Sequence, residues 1–171
     1  MAQTYRGGTD TREREIGRAG QPGMSANDLL DDDHNRVLQL LNEYENVKSD
    51  ASPEEKRRLA RTVCRELNIH TRIEEEIYYP RVRAKSDAED LVDVAVTEHA
   101  HVRELIKEIE GASTHDKAFD GRMKTLGDEV RHHIHEERSR LFPIAEIADC
   151  NTAEMARELA ARKQELAEEL H

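Results

Sequence analysis

Tryptophan is absent from this chain of 171 residues, and phenylalanine occurs only twice. Apolar residues make up 36% and charged residues 37%, which excludes a thick globular core and suits long amphipathic helices with solvated outer faces. No apolar run approaches the roughly 18–20 residues that cross a bilayer, so no membrane role is expected. Basic residues form no stripe and the net charge is −11, which argues against nucleic-acid partners. The opening residues, MAQTYRGGTDTREREIGRAGQPG, lack the apolar core of a secretory signal, so a soluble cytoplasmic protein is the expectation. Two cysteines, Cys64 and Cys150, then read as free thiols. There is no glycine-rich phosphate loop, nucleophile elbow or CxxC pair.

What the sequence does contain is helical text with clear punctuation. Residues 1–24 carry four glycines by position 20 and almost no apolar content, and read as a flexible tail. Residues 25–149 read as a four-helix bundle and residues 150–171 as an additional C-terminal helix. Helices are expected at about 26–48, 53–84, 87–110, 115–148 and 152–170. Ser52-Pro53-Glu54-Glu55 combines a capping serine, a first-turn proline and a glutamate at N3. Ser86 with Glu89 and Asn151 with Glu154 repeat the cap-plus-N3 pattern. Short connections make the first four helices an antiparallel up-down-up-down bundle. Met155, Leu159, Leu166 and Leu170 give the fifth helix one apolar edge, for the bundle or for a second subunit.

The apolar lines of the four helices are interrupted in a concerted way. The first reads Leu30, His34, Val37, Leu41, Tyr44, and the third Val92, Ala95, His99, Val102, Ile106, Ile109. The second runs Leu59, Val63, Leu67, His70, Glu74, Ile77, and the fourth Leu126, Val130, His133, Glu137. Each step is three or four residues, so each line occupies one helix face. HTRIEEEIYYP at 70–80 recurs as HIHEERSRLFP at 133–143, aligning His70 with His133, Glu74 with Glu137, Tyr79 with Phe142 and Pro80 with Pro143. The prolines would kink or stop their helices, so Tyr79 and Pro80 read as a helix end away from the centre.

Six ionisable side chains on one inward surface would be destabilising without compensation. A hydrogen-bonded His/Glu network without metal is one way to satisfy them. The histidine separations of 36 and 34 residues put all four imidazoles at one level of an antiparallel bundle, which favours metal binding. Mixed nitrogen and oxygen ligands without thiolate suit iron, or less well manganese, better than structural zinc. The simplest use of the set is two ions bridged by Glu74 and Glu137, each held by two histidines.

This ordered set resembles the hemerythrin-like family, in particular the HHE cation-binding domain. The resemblance rests on His34 in DDDHNRVLQLL, His70 and Glu74 in IHTRIEEEIYYP, His99 in VTEHAHVRELI, and His133 and Glu137 in RHHIHEERSRLFP. It covers about residues 26–148, and the trailing LAARKQEL also resembles C-terminal segments of bacterial members. The whole implies a bundle holding an oxo- or hydroxo-bridged di-iron centre that meets O2, H2O2 or NO. The implied roles are sensing or detoxification, the latter by catalase-like peroxide removal, with a non-enzymatic iron-responsive interaction module as the alternative. The chain departs from the oxygen carriers of the family, which have a further histidine where this one has Arg103, and an aspartate five residues after the fourth-helix histidine, whereas the carboxylate here is Glu137.

His101 and His135 should face outward, with His132 flanking the line. Glu75 or Glu98 could fix an imidazole N–H from behind. Tyr44 and Cys64 read as core residues, His115 as a helix-start residue and His171 as terminal.

Overall fold

A computed structural model describes residues 23–170. Most of the tail expected at residues 1–24, and His171, lie outside the described residues. Among the described residues every regular element is a helix. Helix α1 (Ala26–Val47) starts from a reciprocal capping box between Ser25 and Asp28. Helix α2 (Pro53–Ile73) starts from the expected Ser52/Glu55 box, with Pro53 in the first turn. It continues through a π-helical turn (Glu74–Tyr78) into α3 (Tyr79–Lys85). Helix α4 (Glu89–Gly111) is followed by α5 (Phe119–Glu136), a second π-helical turn (Glu137–Leu141) and α6 (Phe142–Ile147). Helix α7 (Ala153–Glu169) closes the chain. The four rods run up-down-up-down, as the apolar periodicity and short links require.

Three start signals differ from expectation. Ser86 does not cap α4; its hydroxyl donates to Val82 O and accepts from Ala88 N–H, and Ala88 precedes the helix without a side-chain cap. Thr152, not Asn151, caps α7. Asn151 instead accepts from Asn27 N–H at 2.7 Å, tying the C-terminal segment to the start of α1. His115 lies in a turn before α5, which begins only at Phe119 because the Asp116 carboxylate holds the preceding turn through Ala118 N–H.

Neither proline ends its rod. A proline inside an α-helix removes one backbone bond and collides with the preceding turn. Here each follows a widened turn that spares that turn the collision, and the helix resumes to Lys85 and to Ile147. In both π turns the bond runs five residues back, from Tyr79 N–H to Glu74 O and from Phe142 N–H to Glu137 O. The extra residue brings position i+5 back over position i, where an α-helix would have turned it away.

The apolar interior is split in two. One cluster contains Leu29, Leu30, Ile73, Val82, Val92, Leu141 and Ala145, joined by Met155, Leu159 and Leu166 of α7. The other contains Val37, Leu41, Tyr44, Val63, Leu67, Val102, Ile106, Phe119, Leu126 and Val130. Helix α7 packs along α1 and α2, which accounts for its apolar edge, while Leu170 remains 42% exposed. Cys64 and Cys150 are free and buried, and burial pushes the Cys64 thiol up to about 12.

Candidate metal centre

Between the two apolar clusters lies a layer of buried polar side chains, His34, His70, Glu74, His99, His133 and Glu137, none more than 4% exposed. Helix α1 contributes His34, α4 contributes His99, and α2 and α5 contribute His70 and His133. Each glutamate opens a π turn. All six residues expected from the sequence therefore converge.

Two potential cation sites share this layer: His34, His70, Glu74 and Glu137 form one group, and Glu74, His99 and His133 form another. Glu74 belongs to both. Its Oε1 lies 3.2 Å from His70 Nε2, and its Oε2 lies 3.3 Å from His99 Nε2. Glu137 Oε2 lies 3.1 Å from His34 Nε2 and 3.6 Å from His133 Nε2. The Nε2 atoms of His34 and His70, Glu74 Oε1 and Glu137 Oε2 are buried without a hydrogen-bond partner among the described residues. Orphaned buried donors and acceptors are costly. Their convergence on common points is the arrangement that a cation satisfies.

Behind each imidazole stands a carboxylate, and each of these carboxylates meets a basic side chain. Glu75 lies 2.9 Å from His99 Nδ1 and is bonded by Arg103 at 2.6 Å. Glu98 lies 2.8 Å from His133 Nδ1 and 3.4 Å from His132. Asp31 lies 4.0 Å from His34 Nδ1 and is held by Arg138. Asp33 lies 3.7 Å from His70 Nδ1 and is held by Lys163. At hydrogen-bond distance, as for Glu75 and Glu98, such partners orient an imidazole and fix its tautomer, leaving the other nitrogen for a metal. Asp31 and Asp33 instead face Nδ1 atoms that have no hydrogen-bond partner among the described residues. With the outer carboxylates meeting basic groups, Glu74 and Glu137 are the carboxylates left facing the interior of the layer.

The environment moves these groups in opposite directions. Burial, then the nearby Glu137, raises Glu74 well above the usual carboxylate range. For Glu137 burial pushes up but is outweighed by His133, His34 and His70, so its pKa is lowered. Burial, helped by the neighbouring imidazoles, pushes His34 down to about 4. Burial also acts downward on His133, but Glu137 and Glu98 outweigh it and its pKa is raised.

Tyr79 overturns one expectation. Rather than marking a helix end away from the centre, its hydroxyl donates to Glu137 Oε1 at 2.7 Å and lies 3.3 Å from His99 Nε2. The π turn is the cause: five residues after Glu74, an unbroken α-helix would have directed Tyr79 elsewhere. The matching Phe142 stacks on His34 with centroids 5.7 Å apart. A proline directly after the aromatic in both motifs is the one sequence signal for this geometry. Asp31 and Asp33 were visible only as the acidic run before His34, and nothing local marks Lys163. His101, His132 and His135 are exposed, as the helix angles required. Tyr44 is buried in the core and bonds Asp120 at 2.6 Å.

A four-helix bundle with a buried histidine–glutamate layer defines a class of cation-binding proteins. Residues 25–145 match the hemerythrin HHE cation binding domain, and the chain belongs to that family. A solved hemerythrin HHE cation binding domain-containing protein from Mycobacterium kansasii has the same fold, with a TM-score of 0.69 and 22% identity over 85% of this chain and 88% of that one. A DNA nickase from Nostoc sp. strain PCC 7120 is 28% identical over 152 residues, 86% of this chain. The match spans only 41% of that relative's length. No helix among the described residues is long and apolar enough to cross a membrane.

Proposed function

We propose that His34, His70, Glu74, His99, His133 and Glu137 hold two iron ions, with Glu74 and Glu137 between them, and that this centre meets a small oxidant such as O2, H2O2 or NO in sensing or detoxification. The observation that carries this reading is the pair of ligand groups sharing Glu74, whose two oxygens face opposite histidines. Iron bound there would supply reversible electron transfer at neutral pH.

The chain's own residues do the rest. The four imidazoles offer Nε2 inward while the carboxylates behind them face Nδ1. Tyr79 keeps its proton, because burial and the two glutamates raise its pKa far above the phenol range, and donates it as a hydrogen bond to Glu137. A cavity of about 10 Å3 lies against the four histidines, walled by Val37, Leu67, Val102 and Val130. That is close to the space one water-sized molecule needs, and its apolar walls suit a small uncharged ligand. DNA nicking belongs to the longer relative; with a net charge of −11, this chain would repel a phosphate backbone.

Metal analysis of protein from iron-replete cells tests the reading. About two irons per chain are expected, each held by two of the histidines; stoichiometric zinc, or no metal, would reject it. For the peroxide branch, the iron-loaded protein should evolve O2 from H2O2 and His70→Ala should not.

A further inference from the structure

Helix α7 lies beyond the matched residues 25–145. Even so, its Lys163 ammonium is bonded to Asp33 Oδ1 at the edge of the polar layer. Asp33 is buried, and its other oxygen faces His70 Nδ1 at 3.7 Å. Both facing atoms are without a hydrogen-bond partner among the described residues. A proton on Nδ1 fits between them after a small closure, and it leaves Nε2, on the Glu74 side, unprotonated and able to bind a cation. A free aspartate could rotate away from the ring; one clamped by an ammonium cannot.

We propose that Lys163 is a positioning residue of the metal centre, clamping Asp33 so that Asp33 sets the tautomer and orientation of His70. The inference rests on the di-iron reading. The other three outer carboxylates meet bases from the bundle itself: Arg103 on α4, His132 on α5 and Arg138 in the second π turn. Among the described residues, only the carboxylate behind His70 is held from outside the bundle, so the C-terminal helix belongs to the centre.

The test uses the full chain loaded with ferrous iron and challenged with a chelator. Lys163→Met should speed release of one of the two irons about tenfold and leave the other unchanged, the size expected for loss of an outer partner. Lys163→Arg should restore the slow phase, and Asp33→Asn should match the Asp33→Asn/Lys163→Met double variant. Arg162→Met is the control, because Arg162 is on the same helix as Lys163 and its loss breaks a pair with Glu76 of the first π turn without touching Asp33. Release from Lys163→Met at the wild-type rate, or equal acceleration by Arg162→Met, would overturn the inference. The metal-free chain gives an independent readout: nitrogen NMR should show His70 protonated at Nδ1 in the wild type and a tautomer mixture in Lys163→Met. An unchanged tautomer there overturns the clamp by itself, whereas failure of the wild type to take up two irons overturns the di-iron reading.

Discussion

The α1/α2 half of the centre and the α4/α5 half present the same ligands in different surroundings. His99 and His133 have carboxylates at 2.9 and 2.8 Å behind them, and a tyrosine hydroxyl reaches their side. Behind His34 and His70 the carboxylates stand at 4.0 and 3.7 Å, and the aromatic that packs there is Phe142, without a hydroxyl. A repeated ligand motif therefore does not make two equal sites. What the inner residues share, the second layer separates.

The largest expected consequence is opposite behaviour of the two halves toward acid in the metal-free protein. His34 is held at about 4, below its ordinary 6.5, so the unfolded chain binds the extra proton between those values. Stability from His34 is thus full above pH 6.5 and lost as the pH falls toward 4, by on the order of 3 kcal/mol. His133 is raised, so its contribution is full below 6.5 and lost as the pH climbs through its folded value. Glu74, also raised, works against the His34 loss by stabilising the fold as the pH falls. Urea unfolding across this range isolates the His34 share as the difference between wild type and His34→Gln; parallel curves would break the contrast.

Next in size are the outer carboxylates. Glu98→Gln should weaken metal binding about 10–100-fold in a chelator competition. Asp31→Asn, removing a carboxylate 4.0 Å from its ring and 41% exposed, should change it about threefold or less. Equal losses would show that the two halves are set by something other than these contacts. Smaller than the Glu98 loss is the effect of Tyr79→Phe, which makes the aromatic pair alike. It leaves Glu137 Oε1 without its hydrogen-bond donor and should cost the metal-free fold about 1–2 kcal/mol in thermal unfolding. No loss would remove the phenol from the comparison.

How much of this the sequence announced depends on how far each relation reaches along the chain. His34, His70, His99 and His133 were legible because helical periodicity holds over short distances, and the same arithmetic sent His101 and His135 outward. Glu75 and Glu98 were legible as neighbours of the ligand line, though not which ring each would serve. Tyr79 was misplaced because one added backbone residue changes the rotation of everything after it, and residue patterns assume an unbroken helix. Lys163 and Asp33 meet across 130 positions through the packing of a fifth helix, which no local pattern encodes. The caps at Ser86 and Asn151 failed for a related reason, since both side chains found other partners.

The division of the interior into two apolar clusters has a consequence for how the molecule opens. Each cluster can hold its own end of the bundle together, while the layer joining them is, without metal, a band of desolvated histidine and carboxylate. Amide exchange in the metal-free protein should then report two blocks that loosen with different free energies, the boundary falling at the two π turns. A cation in that layer would act as a cross-bolt, fusing the blocks into one cooperative unit.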